Sequence, residues 1–148
     1  MEKDVVPFAE LIKLNILQGI MPAHVVYSAQ DKQPAGFSKT WIGQVLRQRL
    51  GFDGAVFSDD LNMAAAGMAG SFIDRANIAL NAGCDMVLVC NNREGALEVL
   101  DQLEWQQDAK SVARLQAMKG RKQVSFDELK QMEKWQVAVG AAAELLAE

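Results

Sequence analysis

Three short apolar runs punctuate the chain, at Gly19–Tyr27, Gly54–Ser58 and Asp85–Cys90. The second and third contain Ala-Val-Phe and Met-Val-Leu-Val without polar alternation. Short runs apolar on both faces suit parallel strands buried on either side. Each run leads through a loop into a helical pattern. Ser38 stands where an N-cap belongs, ahead of Trp41, Ile42, Val45, Leu46 and Leu50, and Gly51 follows at the C-terminal position. Ser71 precedes Ile73, Ala76, Ala79 and Leu80, with Gly83 as the stop, and Asn92 precedes Ala96, Leu97, Val99, Leu100 and Leu103. A leading helix is predicted over Phe8–Ile16. The tail from Ser111 onward is predicted to be helical, with Ser125 and Glu128 as a capping box.

Strands alternating with helices predict a parallel sheet joined by right-handed crossovers, hence an α/β fold. Residues 1–148 are expected to form a single partial domain with residues 111–148 as a helical tail, and Gly120–Ser125 is the expected hinge. Three strands are too few to close a barrel, which takes about 250 residues in its eightfold form. Two architectures therefore fit the pattern: a small open sheet, or a slice of a barrel. An open sheet of three leaves two bare edges, which invite self-association.

Composition narrows the partners. The formal net charge is -4 and the Lys and Arg residues are scattered, the densest stretch being Lys119–Lys122 broken by Gly120. A nucleic-acid surface needs clustered positive charge, so none is expected. No run approaches the about 20 apolar residues of a membrane helix, and the N-terminus lacks a signal-peptide core. Cys84 and Cys90 flank one strand, too far apart for a disulfide, and are expected to be buried thiols in a reducing compartment. The expected location is the cytoplasm.

Polar clusters follow the apolar runs: His24 with Tyr27 and Ser28, then Ser58-Asp59-Asp60, then Asn91-Asn92-Arg93. In parallel α/β folds the C-terminal ends of strands carry function. A carboxylate there, on rigid backbone, is placed as a nucleophile requires. One of the two aspartates can equally cap a helix or bind the loop backbone. A Mg²⁺ site lacks an obvious third acidic ligand. His24 can be a ligand, a substrate contact or a structural residue, and Asn92 reads as a helix cap. Gly67-Met-Ala-Gly70 lacks the lysine of a phosphate loop. No Ser-His-Asp arrangement is evident.

The same residues carry a family likeness. The run Gly51-Phe-Asp-Gly-Ala-Val-Phe-Ser-Asp-Asp-Leu-Asn-Met63 resembles the active-site signature of glycoside hydrolase family 3. Met21-Pro-Ala-His-Val25, Leu46-Arg-Gln-Arg-Leu50 and Ala82-Gly-Cys-Asp-Met-Val-Leu-Val-Cys-Asn-Asn-Arg93 extend it towards the bacterial cytoplasmic β-N-acetylglucosaminidases of peptidoglycan recycling. Ser125-Phe-Asp-Glu-Leu129 matches weakly. The resemblance implies a (β/α)8 barrel, of which this chain holds about three units, strands 6 to 8, plus C-terminal helices. It implies Asp59 as the nucleophile of a retaining glycosidase acting on N-acetylglucosaminyl muropeptides, with no cofactor and no metal. The family's acid/base His loop and its sugar-gripping Lys-His pair fall outside the matched residues. Poor activity of this chain alone is therefore expected. A non-catalytic barrel relic that oligomerises and binds a sugar or a protein is the alternative.

Overall fold

The computed structural model describes residues 2–106, 108–120 and 124–145. They fall into two compact units, Met1–Met118 and Lys119–Glu148.

The first unit opens with α1 (Glu2–Lys13), which starts and ends earlier than the apolar pattern predicts. Asn15 sets the end. It adopts the left-handed conformation (φ 55°), its amide donates to Ile12 O at 2.8 Å and the Ile16 amide to Leu11 O at 3.3 Å. That pair of bonds is a Schellman closure with asparagine in the usual glycine place.

The sheet is three-stranded and parallel in the order β1 (Gly19–Ile20), β2 (Ala55–Asp60), β3 (Met86–Leu88). β1 pairs with β2 through Gly19↔Ala55 and Ile20↔Val56. The expected strand Gly19–Tyr27 thus shrinks to two residues. Pro22 has no amide to give to a ladder, and beyond it the chain pairs elsewhere. Ala23 O and Val25 O accept from Gly36 N (3.1 Å) and Ala35 N (2.9 Å), and Val26 bridges Pro34 in antiparallel fashion. β2 runs two residues past Ser58, so Asp59 and Asp60 belong to the strand. β3 is shorter than Asp85–Cys90 and not buried on both faces, for Met86 is 41% exposed.

Helices cover the sheet. Ser38 Oγ accepts from Trp41 N at 3.0 Å at the start of a helix over Thr40–Arg49. That helix is wound wider than an α-helix: Leu50 N donates to Val45 O, five residues back, at 2.9 Å. α2 (Phe72–Ala82) has a reciprocal Ser71–Asp74 capping box and ends at left-handed Gly83 (φ 117°). A side chain at Gly83 would meet Ile42 Cγ2 at 2.9 Å, so the position needs glycine on both counts. α3 (Arg93–Gln102) is capped by Asn92, whose side chain accepts from Gly95 N at 2.8 Å. α4 (Ala109–Ala117) is capped by Asp108.

The core joins Phe37, Ile42, Leu46, Phe52, Val56, Leu61, Ala76, Ala79 and Val99. Small residues on α2 allow its close approach to the strands. No helix among the described residues is long and apolar enough to cross a membrane.

In the second unit, α5 (Phe126–Gln131) carries the Ser125–Glu128 capping box, and α6 (Glu133–Leu145) follows. Trp135 meets Phe126 edge-on at 5.7 Å, and neither helix buries a residue. Of the expected hinge Gly120–Ser125 and the basic stretch Lys119–Lys122, residues 121–123 lie outside the described residues.

Candidate active site

The C-terminal end of β2 is where the local sequence departs from regular strand geometry. Phe57 pairs with Met86 and Asp60 with Leu88. Three steps along β2 therefore match two along β3, leaving one extra residue between the paired positions. This is a β-bulge, a device that re-aims a side chain beside a site. Four bonds hold it. Ser58, fully buried, accepts from Leu88 N through Oγ at 2.9 Å. Leu61 N donates to Leu88 O at 2.8 Å. Asp60 Oδ1 accepts from Cys90 N at 2.8 Å and from Asn62 N at 2.9 Å. Two side-chain oxygens thus supply acceptors that a regular ladder would take from backbone.

Asp59 lies inside this frame. It is half-buried, and its Oδ1 accepts from Asp60 N at 2.9 Å. Oδ2 has no hydrogen bond from the described residues, and no cation among them pairs with either aspartate. Asp59 caps no helix. Asp60 does the loop-binding that the sequence allowed for one of the pair. The loop after it is held by Arg75, whose Nη1 donates to Leu61 O at 2.7 Å and Nε to Gly70 O at 2.8 Å. Asn92 Nδ2 donates to Asn62 Oδ1 at 3.3 Å, tying the loop to the cap of α3. Asn91 takes the left-handed conformation (φ 55°) that turns the chain from Cys90 to Asn92.

The rim is open. Two cavities of about 170 and about 210 Å³ are formed elsewhere. One lies between α1 and the Thr40–Arg49 helix, lined by Val5, Val6, Ala9 and Trp41 among others. The other lies by Gln18, Phe52–Gly54 and Arg114, at the opposite end of the strands. Asp59 lines neither. Among the described residues, no three His, Cys, Asp or Glu side chains form a metal-holding group.

His24 is 6% exposed and its ring packs on Phe37 at 4.5 Å between centroids. Neither ring nitrogen has a hydrogen-bond partner among the described residues. A side chain at Gly36 would meet Pro22 O at 2.8 Å and His24 Nδ1 at 3.3 Å, so the glycine makes room for this packing. His24 is a packing residue of the loop layer in this arrangement. The cysteines part company: Cys84 is buried and Cys90 exposed. The expectation of two buried thiols fails for Cys90 because it lies past the end of β3. Burial first, and then the Asp85 charge, push the Cys84 thiol up to about 12, so it stays protonated and unreactive at neutral pH.

The starts of the strands hold a second acidic centre that sequence reasoning missed. Asp85 is 3% exposed. Its Oδ2 accepts from Arg47 Nη2 (2.8 Å) and Val56 N (2.8 Å). Its Oδ1 accepts from Ser111 Oγ at 2.6 Å and Arg114 Nη1 at 3.4 Å. Arg47 also donates to Phe52 O (3.0 Å) and Gly54 O (2.6 Å). Burial, then the charge of Arg114, holds the Arg47 guanidinium below its ordinary range. Burial also works against the charge on Arg114, but its bond to Asp53 and the Asp85 charge outweigh this and raise it. The available signal was an Arg in a helical pattern and an Asp opening an apolar run, charges that need partners once buried.

With this geometry in view, the likenesses to known proteins fall into place. The family model "Glycosyl hydrolase family 3 N terminal domain" matches residues 1–118. The chain belongs to glycosyl hydrolase family 3, a family of glycosidases. Its relatives include a β-hexosaminidase from Thioalkalivibrio sulfidiphilus, 53% identical over 135 residues, which cover 91% of this chain and 39% of that protein. A β-hexosaminidase from Pasteurella multocida is 48% identical over 137 residues, covering 90% of this chain and 39% of that protein. Among solved structures, NagZ from Neisseria gonorrhoeae in complex with N-trifluoroacetyl-D-glucosamine matches with a TM-score of 0.77 and 36% identity, over 96% of this chain and 40% of that one. The chain spans about two-fifths of the length of these relatives.

Proposed function

We propose that the intact protein hydrolyses terminal β-linked N-acetylglucosamine from peptidoglycan-derived anhydro-muropeptides in the cytoplasm, with retention, and that Asp59 is the nucleophile. In this reading residues 1–148 are one partial domain, strands 6 to 8 of a (β/α)8 barrel with a helical tail. One observation carries the assignment: in a family 3 chain, the bulged end of β2 holds the Asp59 carboxylate with one oxygen bonded and the other without a bond from the described residues.

The chemistry follows from retention. The Asp59 oxygen bonds to the anomeric carbon as the glycosidic C–O bond breaks, and the departing oxygen takes a proton from a general acid. Water then attacks the anomeric carbon, gives up a proton to the same group acting as base, and releases the carboxylate. The second group must sit about 5 Å from the nucleophile. The family's His, assisted by an Asp, supplies it from a loop outside the residues matched here. General acid help is worth about 10²–10⁴-fold, so the 148-residue chain should turn over a chromogenic N-acetyl-β-glucosaminide poorly or not at all.

A 5-fluoro-N-acetylglucosaminyl fluoride tests the nucleophile without that acid. Fluoride leaves unprotonated as the Asp59 oxygen bonds to C1, and the ring fluorine slows hydrolysis of the adduct. Mass spectrometry should find the adduct on the peptide holding Asp59, and none in Asp59→Asn. No adduct on wild type, or an undiminished one on the variant, sinks the assignment. The alternative of an oligomeric, non-catalytic relic draws on the apolar side chains exposed beside both sheet edges, Met21, Val25 and Val26 near β1 and Met86 at β3. It predicts a concentration-dependent oligomer in sedimentation together with no adduct.

A further inference from the structure

The nucleophile assignment leaves a neighbouring carboxylate without a chemical role, and the bond pattern supplies one. Asp60 Oδ1 accepts two amides at once, Asn62 N on its own loop and Cys90 N beyond the end of β3. The Asp60 amide in turn donates to Asp59 Oδ1. One residue therefore grips both strand ends with its side chain and the candidate nucleophile with its backbone. Because the ladder slips by one residue between Phe57 and Asp60, backbone pairing alone does not fix how the peptide before Asp60 is rotated. Ser58 Oγ on Leu88 N anchors the strand side of the slip, and Asp60 anchors the loop side.

The geometry points to Asp60 as the positioning residue of the site: its carboxylate clamps the ends of β2 and β3 together so that its own amide holds the Asp59 carboxylate in one orientation. This rests on the reading of Asp59 as nucleophile and adds the device that aims it. Asp60 touches no reacting atom. A carboxylate misplaced by about 1 Å can cost about 10²-fold in rate, which sets the size of the effect.

The test is made on the whole 148-residue chain by amide proton NMR. The Cys90, Asn62 and position-60 amides should all resonate at low field, as charge-assisted donors do. The position-60 signal should move to higher field in Asp59→Asn, where its acceptor loses the charge. In Asp60→Asn, which keeps an acceptor oxygen for both amides, all three signals should stay bonded. In Asp60→Glu, which keeps the charge but overreaches both amides by a methylene, the position-60 amide should lose its low-field shift. Labelling of Asp59 by the fluoride should slow about 10²-fold in Asp60→Glu and recover in Asp60→Asn. A position-60 amide unchanged in Asp60→Glu overturns the clamp even if labelling still requires Asp59. A clamp seen by NMR with labelling indifferent to Asp59→Asn overturns the nucleophile and leaves the clamp standing.

Discussion

The two ends of strand β2 carry aspartates in opposite circumstances. At its start, Asp85 reaches across from the head of β3 to bond Val56 N, and is buried with two arginines and a serine on its oxygens. At its finish, Asp59 and Asp60 are half-buried and, among the described residues, bonded by backbone amides alone. A carboxylate whose oxygens are engaged by charged partners in a low-dielectric setting is a structural group; displacing any partner exposes an uncompensated charge. A carboxylate with one oxygen unbonded at an open rim is available for chemistry. Under the proposed function the same side chain serves stability at one end and reactivity at the other, and the environment makes the distinction.

That contrast yields expected outcomes, from the largest down. Asp85→Ala leaves the part-buried Arg47 and Arg114 without their shared counter-charge and strands Val56 N and Ser111 Oγ. It should cost about 3–5 kcal/mol in urea unfolding; a cost under about 1 kcal/mol would show that the strand starts are no more dependent on charge than an exposed ion pair. Ser58→Ala orphans the part-buried Leu88 amide and should cost about 1–3 kcal/mol, read by the same measurement.

Alkaline pH probes the buried end through Cys84. Its thiol is raised from 9.0 to about 12 in the folded chain, so the unfolded state loses the proton first. The stability it confers is whole below about pH 9 and is lost as pH rises towards about 12, by about 1.4 kcal/mol per unit. Melting temperatures measured across that range should fall in the wild type and fall less in Cys84→Ala. On the acid side, Asp53 is held below 3.8 by the Arg114 hydrogen bond and charge. Its contribution is present above about pH 4 and fades as pH drops through the folded value. The smallest effect belongs to the rim: Asp59→Asn should move stability by no more than about 0.5 kcal/mol, while removing the fluoride adduct entirely. A strongly destabilised Asp59→Asn would put this residue with Asp85 and erase the contrast.

Helix starts were written locally. Ser38, Ser71, Asn92 and Ser125 each accept an amide bond just ahead of their helices, because capping needs only residues within one turn. Gly83 was legible for the same reason. The parallel pairing of the strands and the placing of Asp59 at a strand end also followed from the sequence. The first strand was misjudged because an apolar run does not reveal that Pro22 ends the ladder and the chain turns back on itself at Ala23–Val26.

The sequence by itself determined the α/β alternation, the helix caps, the family and the candidate carboxylate, since all of these are encoded in residues near one another along the chain. Only the tertiary structure decided that β2 slips by one residue against β3, that Ser58 and Asp60 replace the missing ladder acceptors, and that Asp85 gathers Arg47, Ser111 and Arg114. These depend on groups about 30 positions apart meeting with matched donors and acceptors. Hydrogen-bond satisfaction across packed elements, rather than any local propensity, sets which partner each one finds.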